Sequence, residues 1–412
     1  MIMPKKWQLC IMLFLATTLN YLDRQTLSIL APALQKEMHL DNEALGWLFA
    51  IFYYTYTFSQ MAVGPILDRV NLRWAFATAV FLWSLVSGLT GLANGFLALL
   101  IFRLFLGVVE SANWPGALRV VARLVEPRER ALGNGIFTSG TSVAALVAPG
   151  LILAIAALFG WRLTFVLIGS LGVLWVGAWI LMTQDPKMAH VWRDPTVPAR
   201  VGLAGQLRSY TSIIRSPRFL PILVVAVLVN PCLYFSVNWL PTYFVQQRGL
   251  SPGRQMGWIL TAIYLGLDIG NLACGAGVLA LTRWGSSART ARRIIFILAT
   301  LSMVSCAAVP ILPMTGAVVA LVLFNFGQGI WTTVYLTMAQ EVSATHVSTA
   351  VGLLSGSGSL AGALAMWAVG RVTKETGSFS IPMVAVALAA ALAAIAGWVA
   401  SKNMESTKGV AA

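Results

Sequence analysis

Apolar residues recur along the chain in runs of about 20, the length at which a helix crosses a hydrocarbon core of about 30 Å. Polar, Gly- or Pro-containing breaks separate the runs. The pattern predicts helical spans over 8–33, 44–67, 73–93, 95–119, 131–157, 161–182, 219–245, 255–281, 293–309, 314–340, 347–370 and 378–400. The expected fold class is therefore an all-α membrane protein with twelve transmembrane helices.

The longest polar stretch, 183–217, separates six spans from six. It carries Asp185-Pro186, Asp194-Pro195 and Pro198, with Lys187, Arg193, Arg200, Arg208, Arg215 and, at its edge, Arg218. Within it Leu207, Tyr210, Ile213 and Ile214 alternate with Arg208 and Arg215, a spacing that predicts a short amphipathic helix lying on the membrane surface. The chain thus divides into an N-terminal six-helix half (1–182), a linker (183–217) and a C-terminal six-helix half (218–412). A weak internal echo supports two halves. The loop after the second span reads Gly64-Pro65-Ile66-Leu67-Asp68-Arg69-Val70-Asn71-Leu72-Arg73. The loop after the eighth is also Gly-led and basic, with Gly275, Arg283, Gly285, Arg289, Arg292 and Arg293.

Composition agrees with this reading. Of 412 residues, 58% are hydrophobic and 10% charged, against about 25% charged in a soluble domain. The net charge is +14, which in a soluble protein would suggest nucleic acid. Placed against the spans, however, the Lys and Arg residues gather in alternate loops. With the N-terminus inside, 20 of the 28 fall on the cytoplasmic side. Lys36, Arg162, Arg248, Arg254, Arg371 and Lys374 fall outside, and Arg24 and Arg103 lie within spans. That is the positive-inside pattern, which predicts both termini in the cytoplasm and a basic face toward anionic lipid, with no nucleic-acid partner. Cys10, Cys232, Cys274 and Cys306 lack metal-ligand spacing and read as apolar fillers. The first span lacks a small-residue cleavage site and carries Asp23 and Arg24, so a retained helix is expected rather than a signal peptide.

An ionised side chain near the bilayer centre costs about 2.5–3.5 kcal/mol on insertion scales. Asp23, Arg24, Arg103, Glu110 and Asp268 nevertheless sit well inside spans. Arg103 and Glu110 are two turns apart on one helix face, about 10 Å along the axis, with Gly107 between them. Thr17 and Asn20 extend the polar face of Asp23 and Arg24. One reading is that these balanced charges pair only to hold helices together. The other is ion coupling, in which protonating an acid frees an arginine. In the second half, Tyr234 with Asn238, Tyr264 with Asp268 and Asn271, and Asn325 with Gln328 and Thr332 form polar stripes. They are either cavity-lining or interhelical hydrogen-bonding residues. His39, His190 and His346 lie in loops or span ends, so no intramembrane histidine relay is expected.

The loop at Gly64–Arg73 resembles the signature of the major facilitator superfamily. Gly64, Asp68, Arg69 and Arg73 match it. Asn71 stands where Gly is usual, and Asn tolerates left-handed geometry, so the turn is expected to be kept. The resemblance implies two pseudo-symmetric six-helix halves with the substrate site near the midplane between them. It also implies that this loop latches the halves in one state.

A closer resemblance is to the anion:cation symporter family, specifically its bacterial hexuronate and galactonate (sugar-acid) members. It rests on Asn20-Tyr21-Leu22-Asp23-Arg24-Gln25-Thr26-Leu27-Ser28 and on Arg103-Leu104-Phe105-Leu106-Gly107. It continues through Glu110-Ser111-Ala112-Asn113-Trp114-Pro115, Thr138-Ser139-Gly140-Thr141-Ser142, Ala148-Pro149, Trp239-Leu240-Pro241-Thr242-Tyr243 and Asp268-Ile269-Gly270-Asn271-Leu272. The resemblance implies that Arg24 contacts a substrate carboxylate. Asp23 and Glu110 take up coupling protons with Arg103 as the neighbouring cation, and Tyr56, four residues before Gln60, hydrogen-bonds the substrate. Arg103 itself, Asn20, Gln60, Tyr234, Asn238, Asp268, Asn271, Gln328 and Ser359 complete the expected substrate-binding set. Ser359 departs from the pattern: the family has Asn there, and Ser offers one hydroxyl in place of two donors and an acceptor.

The function expected is uptake of a small organic anion, a sugar acid, by proton symport through alternating access. The carrier is expected to be a multi-pass protein of the inner (plasma) membrane that acts as a monomer, with H+ as coupling ion and no cofactor or metal. The alternatives are an anion antiporter, a carrier of aromatic or dicarboxylic acids, and a non-transporting sensor. Superfamily antiporters often carry a Gly-Pro with flanking glycines in this helix; Ala148-Pro149-Gly150 has Ala before the proline and leans toward symport. An enzyme is not expected: the spans hold no His pair, metal cluster or nucleophile–base spacing.

Overall fold

A computed structural model describes residues 4–67, 70–126, 130–188, 192, 211, 213–216, 219–340 and 347–403, and among these no β-strand occurs. The chain divides into two compact units, Met1–Pro198 with Leu250–Thr261, and Ala199–Gly249 with Ala262–Ala412.

The first unit is built from α1 (Lys5–Met38), α2 (Asn42–Leu67), α3 (Leu72–Thr90), α4 (Phe96–Glu110), α5 (Asn113–Leu124) and α6 (Arg130–Met182). Helix α6 is bent at Gly160, whose φ of 75° and ψ of 167° interrupt the helix. Glycine takes that left-handed φ without a Cβ penalty, and the break falls at the expected boundary between the fifth and sixth spans. The expected fourth span, by contrast, breaks after Glu110. Pro115 has no N–H for the Ser111 carbonyl four residues back, and the Ser111 hydroxyl instead donates to the Val108 carbonyl at 2.7 Å. Asn71 also differs from expectation. It is extended (φ −65°, ψ 113°), not left-handed, and caps α3 by accepting the N–H of Arg73 at 3.1 Å. Asn is a favoured N-cap because its side-chain oxygen satisfies a free helix N–H.

The second unit contains α7 (Phe219–Arg248), most of α8 (Arg254–Arg283), α9 (Ala288–Val304), α10 (Met314–Gln340), α11 (Val347–Thr376) and α12 (Ser380–Asn403). The ninth span is expected as one helix to residue 309; here α9 ends at Val304 and a 3-10 turn, Ser305–Ile311, continues it. Of the expected linker, a 3-10 turn at Pro186–Met188 is described. The amphipathic helix over 206–216 lies largely outside the described residues.

Nine stretches of the described residues are long and apolar enough to cross a membrane, among them Gly133–Met182, Phe219–Arg248 and Ser380–Trp398. Helices α1 and α2 fall short of that hydropathy because each carries a run of polar side chains, Asn20 to Ser28 in α1 and Tyr53 to Gln60 in α2. Leu174, Leu181, Leu272 and Ile311 are all at least 70% exposed. Large apolar side chains left this bare are what a bilayer, not water, covers.

Helix packing within each unit relies on close approaches. A Cβ on Gly107 of α4 would collide with Thr55 Oγ1 and the Phe52 carbonyl of α2, so glycine lets these two helices touch backbone to backbone. At the C-terminal end of α1, Glu37 accepts hydrogen bonds from Arg162 and Trp161, just beyond the bend of α6. Those bonds, Arg162's first, hold the Glu37 carboxyl below its ordinary value.

Candidate functional site

The first unit gathers its intramembrane charges into one cluster. Asn20 and Arg24, one turn apart on α1, face α4. The Arg24 guanidinium donates to Glu110 Oε2 from Nη2 at 3.0 Å and from Nε at 3.3 Å. Glu110 is fully buried, while the Arg24 side chain keeps 12% of its surface exposed. Asn20 is buried and adjoins the Glu110 carboxylate. The resemblance implies Arg103 as the cation neighbouring Glu110; the charge of Arg103 does act on the carboxylate, but the ion that bonds it is Arg24. Two turns of rise separate Arg103 from Glu110 on α4, whereas the Arg24 side chain reaches the carboxylate from α1. Arg103 is buried and reaches across to the Arg24 carbonyl at 3.5 Å.

Three rings enclose the Arg24 guanidinium: Tyr56 with its centroid at 4.7 Å, Phe52 at 4.8 Å and Tyr21 at 5.0 Å. Phe52 also lies 5.5 Å from the Arg103 guanidinium, so one ring serves both cations. Ring faces carry negative quadrupole charge and stabilise a desolvated cation by up to about 2 kcal/mol. Arg24 is thus held on one side by rings and on another by a carboxylate, with 12% of its side chain exposed.

Asp23, next in the chain, points elsewhere. About 100° around the helix, it accepts a hydrogen bond from Ser87 of α3 at 2.7 Å, with both residues buried. Asn113 of α5 donates to Thr17 of α1 at 3.4 Å, which ties the broken fourth span to the same helix. Gln60 is half-buried and makes no hydrogen bond to this cluster among the described residues. Gly64 lies within α2, and Asp68 and Arg69 lie outside the described residues. Arg73 donates to the Ile180 carbonyl at 3.0 Å and accepts the Trp179 indole N–H on its own carbonyl at 3.1 Å.

In the second unit the Tyr234 and Ser359 hydroxyls lie 2.9 Å apart, joining α7 to α11. Gly362, one turn on, has the Tyr234 ring where its Cβ would be. Asn238 donates to the Tyr234 carbonyl at 2.8 Å. Asn271 accepts from Thr333 at 3.1 Å, and Gln328, fully buried, donates to the Val229 carbonyl at 3.2 Å. Asp268 is half-buried on α8, three residues before Asn271. These polar groups are spread over α7, α8, α10 and α11, and Tyr234 with Ser359 bonds side chain to side chain across two of those helices.

Ser87, Tyr21 and Phe52 carry no expectation from the sequence. Ser87 had a faint signal in the Ser84, Ser87 and Thr90 spacing on α3; the two rings had none, because aromatic residues are common throughout. No group of three His, Cys, Asp or Glu side chains is placed to hold a metal among the described residues.

Known proteins resemble this chain along most of its length. A hexuronate transporter of Bacillus subtilis (strain 168) is 28% identical over 385 residues, covering 91% of this chain and 90% of that protein. A hexuronate transporter of Escherichia coli (strain K12) is 24% identical over 412 residues, covering 97% and 94%. A crystal structure of a bacterial homologue of the human lysosomal transporter Spinster shares the fold with a TM-score of 0.76, 19% identity and 98% of each chain covered. The sequence model of the Major Facilitator Superfamily matches residues 13–366. The chain belongs to the Major Facilitator Superfamily and is a multi-pass membrane transporter rather than an enzyme.

Proposed function

We propose that this transporter imports a small organic anion of the sugar-acid class together with protons, by alternating access, across the inner membrane. It does so as twelve spans in two six-helix halves with both termini in the cytoplasm. The observation that carries the reading is the ion pair between Arg24 and Glu110, with the arginine partly exposed and the acid fully buried.

A guanidinium presents a planar fork of donors matched to a carboxylate. A substrate carboxylate arriving at the exposed side of Arg24 competes with Glu110 for the same cation. A buried carboxylate deprived of its counter-charge is costly, and taking a proton removes the cost. Anion binding at Arg24 and proton binding at Glu110 are then two sides of one exchange, which is symport. The energetics require such coupling. Entry of one negative charge against an inside-negative potential is opposed by about 2.3 kcal/mol per 100 mV. One proton cancels that charge, and a second makes entry favourable.

The names of the relatives support the substrate class: hexuronate transporters, and a D-galactonate transporter of Escherichia coli that is 25% identical over 304 residues. Tyr56 and Gln60, with Tyr234, Asn238, Asp268, Asn271, Gln328 and Ser359, supply polar groups for sugar hydroxyls, while Gly64, Asp68, Arg69 and Arg73 form the latch loop. The gathering of 20 of the 28 basic residues in alternate loops supports the orientation.

The test is uptake of labelled glucuronate and galactonate into proteoliposomes. An inward proton gradient should drive accumulation and an uncoupler should abolish it. Accumulation driven by sodium alone, or none of either sugar acid, would overturn the reading.

A further inference from the structure

The two acids of the cluster are held differently. Glu110 is bound to a guanidinium, so it changes protonation only when Arg24 changes partner. Asp23 makes no ion pair among the described residues; its bond is to a neutral hydroxyl, Ser87 Oγ at 2.7 Å. Ser87 is 1% exposed and Asp23 2%, so water does not take the place of that bond. The charged groups acting on Asp23 are Glu110 and Arg103 of α4, with Arg24 beside it on α1. Helix α3 brings the Ser87 hydroxyl.

We propose that Ser87 is the positioning residue that holds Asp23 against α3, away from the two arginines, and so sets the pH at which Asp23 takes up a transported proton. This rests on the proton-symport reading above.

The chemistry suits a hydroxyl. Serine has one donor and two acceptor lone pairs. Toward the carboxylate, Ser87 donates. When a proton binds an Asp23 oxygen, the hydroxyl turns to accept from the carboxylic acid and directs its own hydrogen to the carbonyl four residues back on its helix. No ion pair breaks and no buried donor is stranded in either state. A methyl group at this position would leave the buried carboxylate without its donor, so the ionised form loses support and the proton is kept to higher pH.

The experiment compares gradient-driven uptake of labelled galactonate between pH 5 and 9 in wild type, Ser87→Ala, Ser87→Thr and Ser84→Ala proteoliposomes, with counterflow measured alongside. Ser84 is one turn away on α3 and does not bond Asp23. In Ser87→Ala the pH at which driven uptake is half lost should rise by about one unit, the worth of one hydrogen bond to a charged group. Counterflow should persist, Ser87→Thr should restore the wild-type profile, and Ser84→Ala should not move it. An unmoved profile in Ser87→Ala, or an equal shift in Ser84→Ala, overturns the proposal. If Ser87→Ala does not fold, Ser87→Thr, which keeps the hydroxyl, and Ser87→Cys, which replaces it with a thiol, decide it: Thr should keep the profile and Cys, a weak donor, should raise it. A wild type without proton-driven uptake would instead sink the symport reading itself.

Discussion

Arg24 and Glu110, 86 residues apart in the chain, meet at 3.0 Å in the interior of the first unit, with three aromatic rings around the arginine. The charges of the first half therefore form a directed arrangement: one acid is bound to a cation, the other to a hydroxyl.

The pair has a consequence for stability. Removing one partner of a buried ion pair strands the other. Arg24→Ala should abolish anion binding and lower the melting temperature in detergent, and Glu110→Gln added to it should recover most of the lost stability. The coupling in the double-mutant cycle should be about 1–3 kcal/mol. Additive effects would mean that the two side chains are not energetically linked.

The rings should matter beyond their volume. Phe52→Leu keeps an apolar side chain but removes the face shared by Arg24 and Arg103. Loss of a desolvated cation–π contact of about 1 kcal/mol should weaken anion affinity roughly fivefold. Isothermal titration with galactonate measures this; an unchanged Kd would show that the rings only fill space.

In the second unit, Gly362 has no room for a Cβ against Tyr234. Gly362→Ala should force α7 and α11 apart, break the Tyr234–Ser359 contact and cost about 1–3 kcal/mol. Uptake should fall while Arg24-dependent anion binding in the first unit survives. Full uptake in this variant would remove Tyr234 and Ser359 from the substrate path.

Much of this was legible in the sequence, and the exceptions have physical causes. Apolar run length is a local property, so the helices lie where the runs are, and the bend at Gly160 falls between two expected spans. The break after Glu110 was not expected because the apolar residues on both sides of Pro115 read as one span. At Asn71 the residue type allowed two geometries, and capping of α3 prevailed over the left-handed turn. Asp23, Arg24, Arg103 and Glu110 stood out because charge is rare in apolar spans. Their partners did not, because pairing depends on which helices cross. The resemblance implied Arg103 as the cation beside Glu110, and tertiary packing bonds the acid to Arg24. The Ser84, Ser87 and Thr90 spacing on α3 marks a polar stripe but does not say that Ser87 meets Asp23.

Outside the spans, Glu37 gives a pH signature. Its folded carboxyl value lies below the ordinary one, so its contribution is present above the unfolded Glu value of about 4.3 and is lost as pH falls through the lower folded value. The group is half exposed, so the effect is small. Glu37→Gln should lower the melting temperature slightly at pH 7, with the difference shrinking below about pH 4. A difference that does not change with pH would mean that packing, not charge, joins α1 to α6 there.

The central claim is that a substrate carboxylate and Glu110 share Arg24, and that the proton on Glu110 is the coupling ion. Glu110→Gln mimics the permanently protonated acid and leaves Arg24 free for the anion. The decisive measurement sets counterflow against pH-gradient-driven accumulation of labelled galactonate in proteoliposomes carrying this variant. The account predicts that counterflow continues while the gradient no longer concentrates substrate. Accumulation equal to wild type would contradict it and leave Glu110 as a packing partner of Arg24.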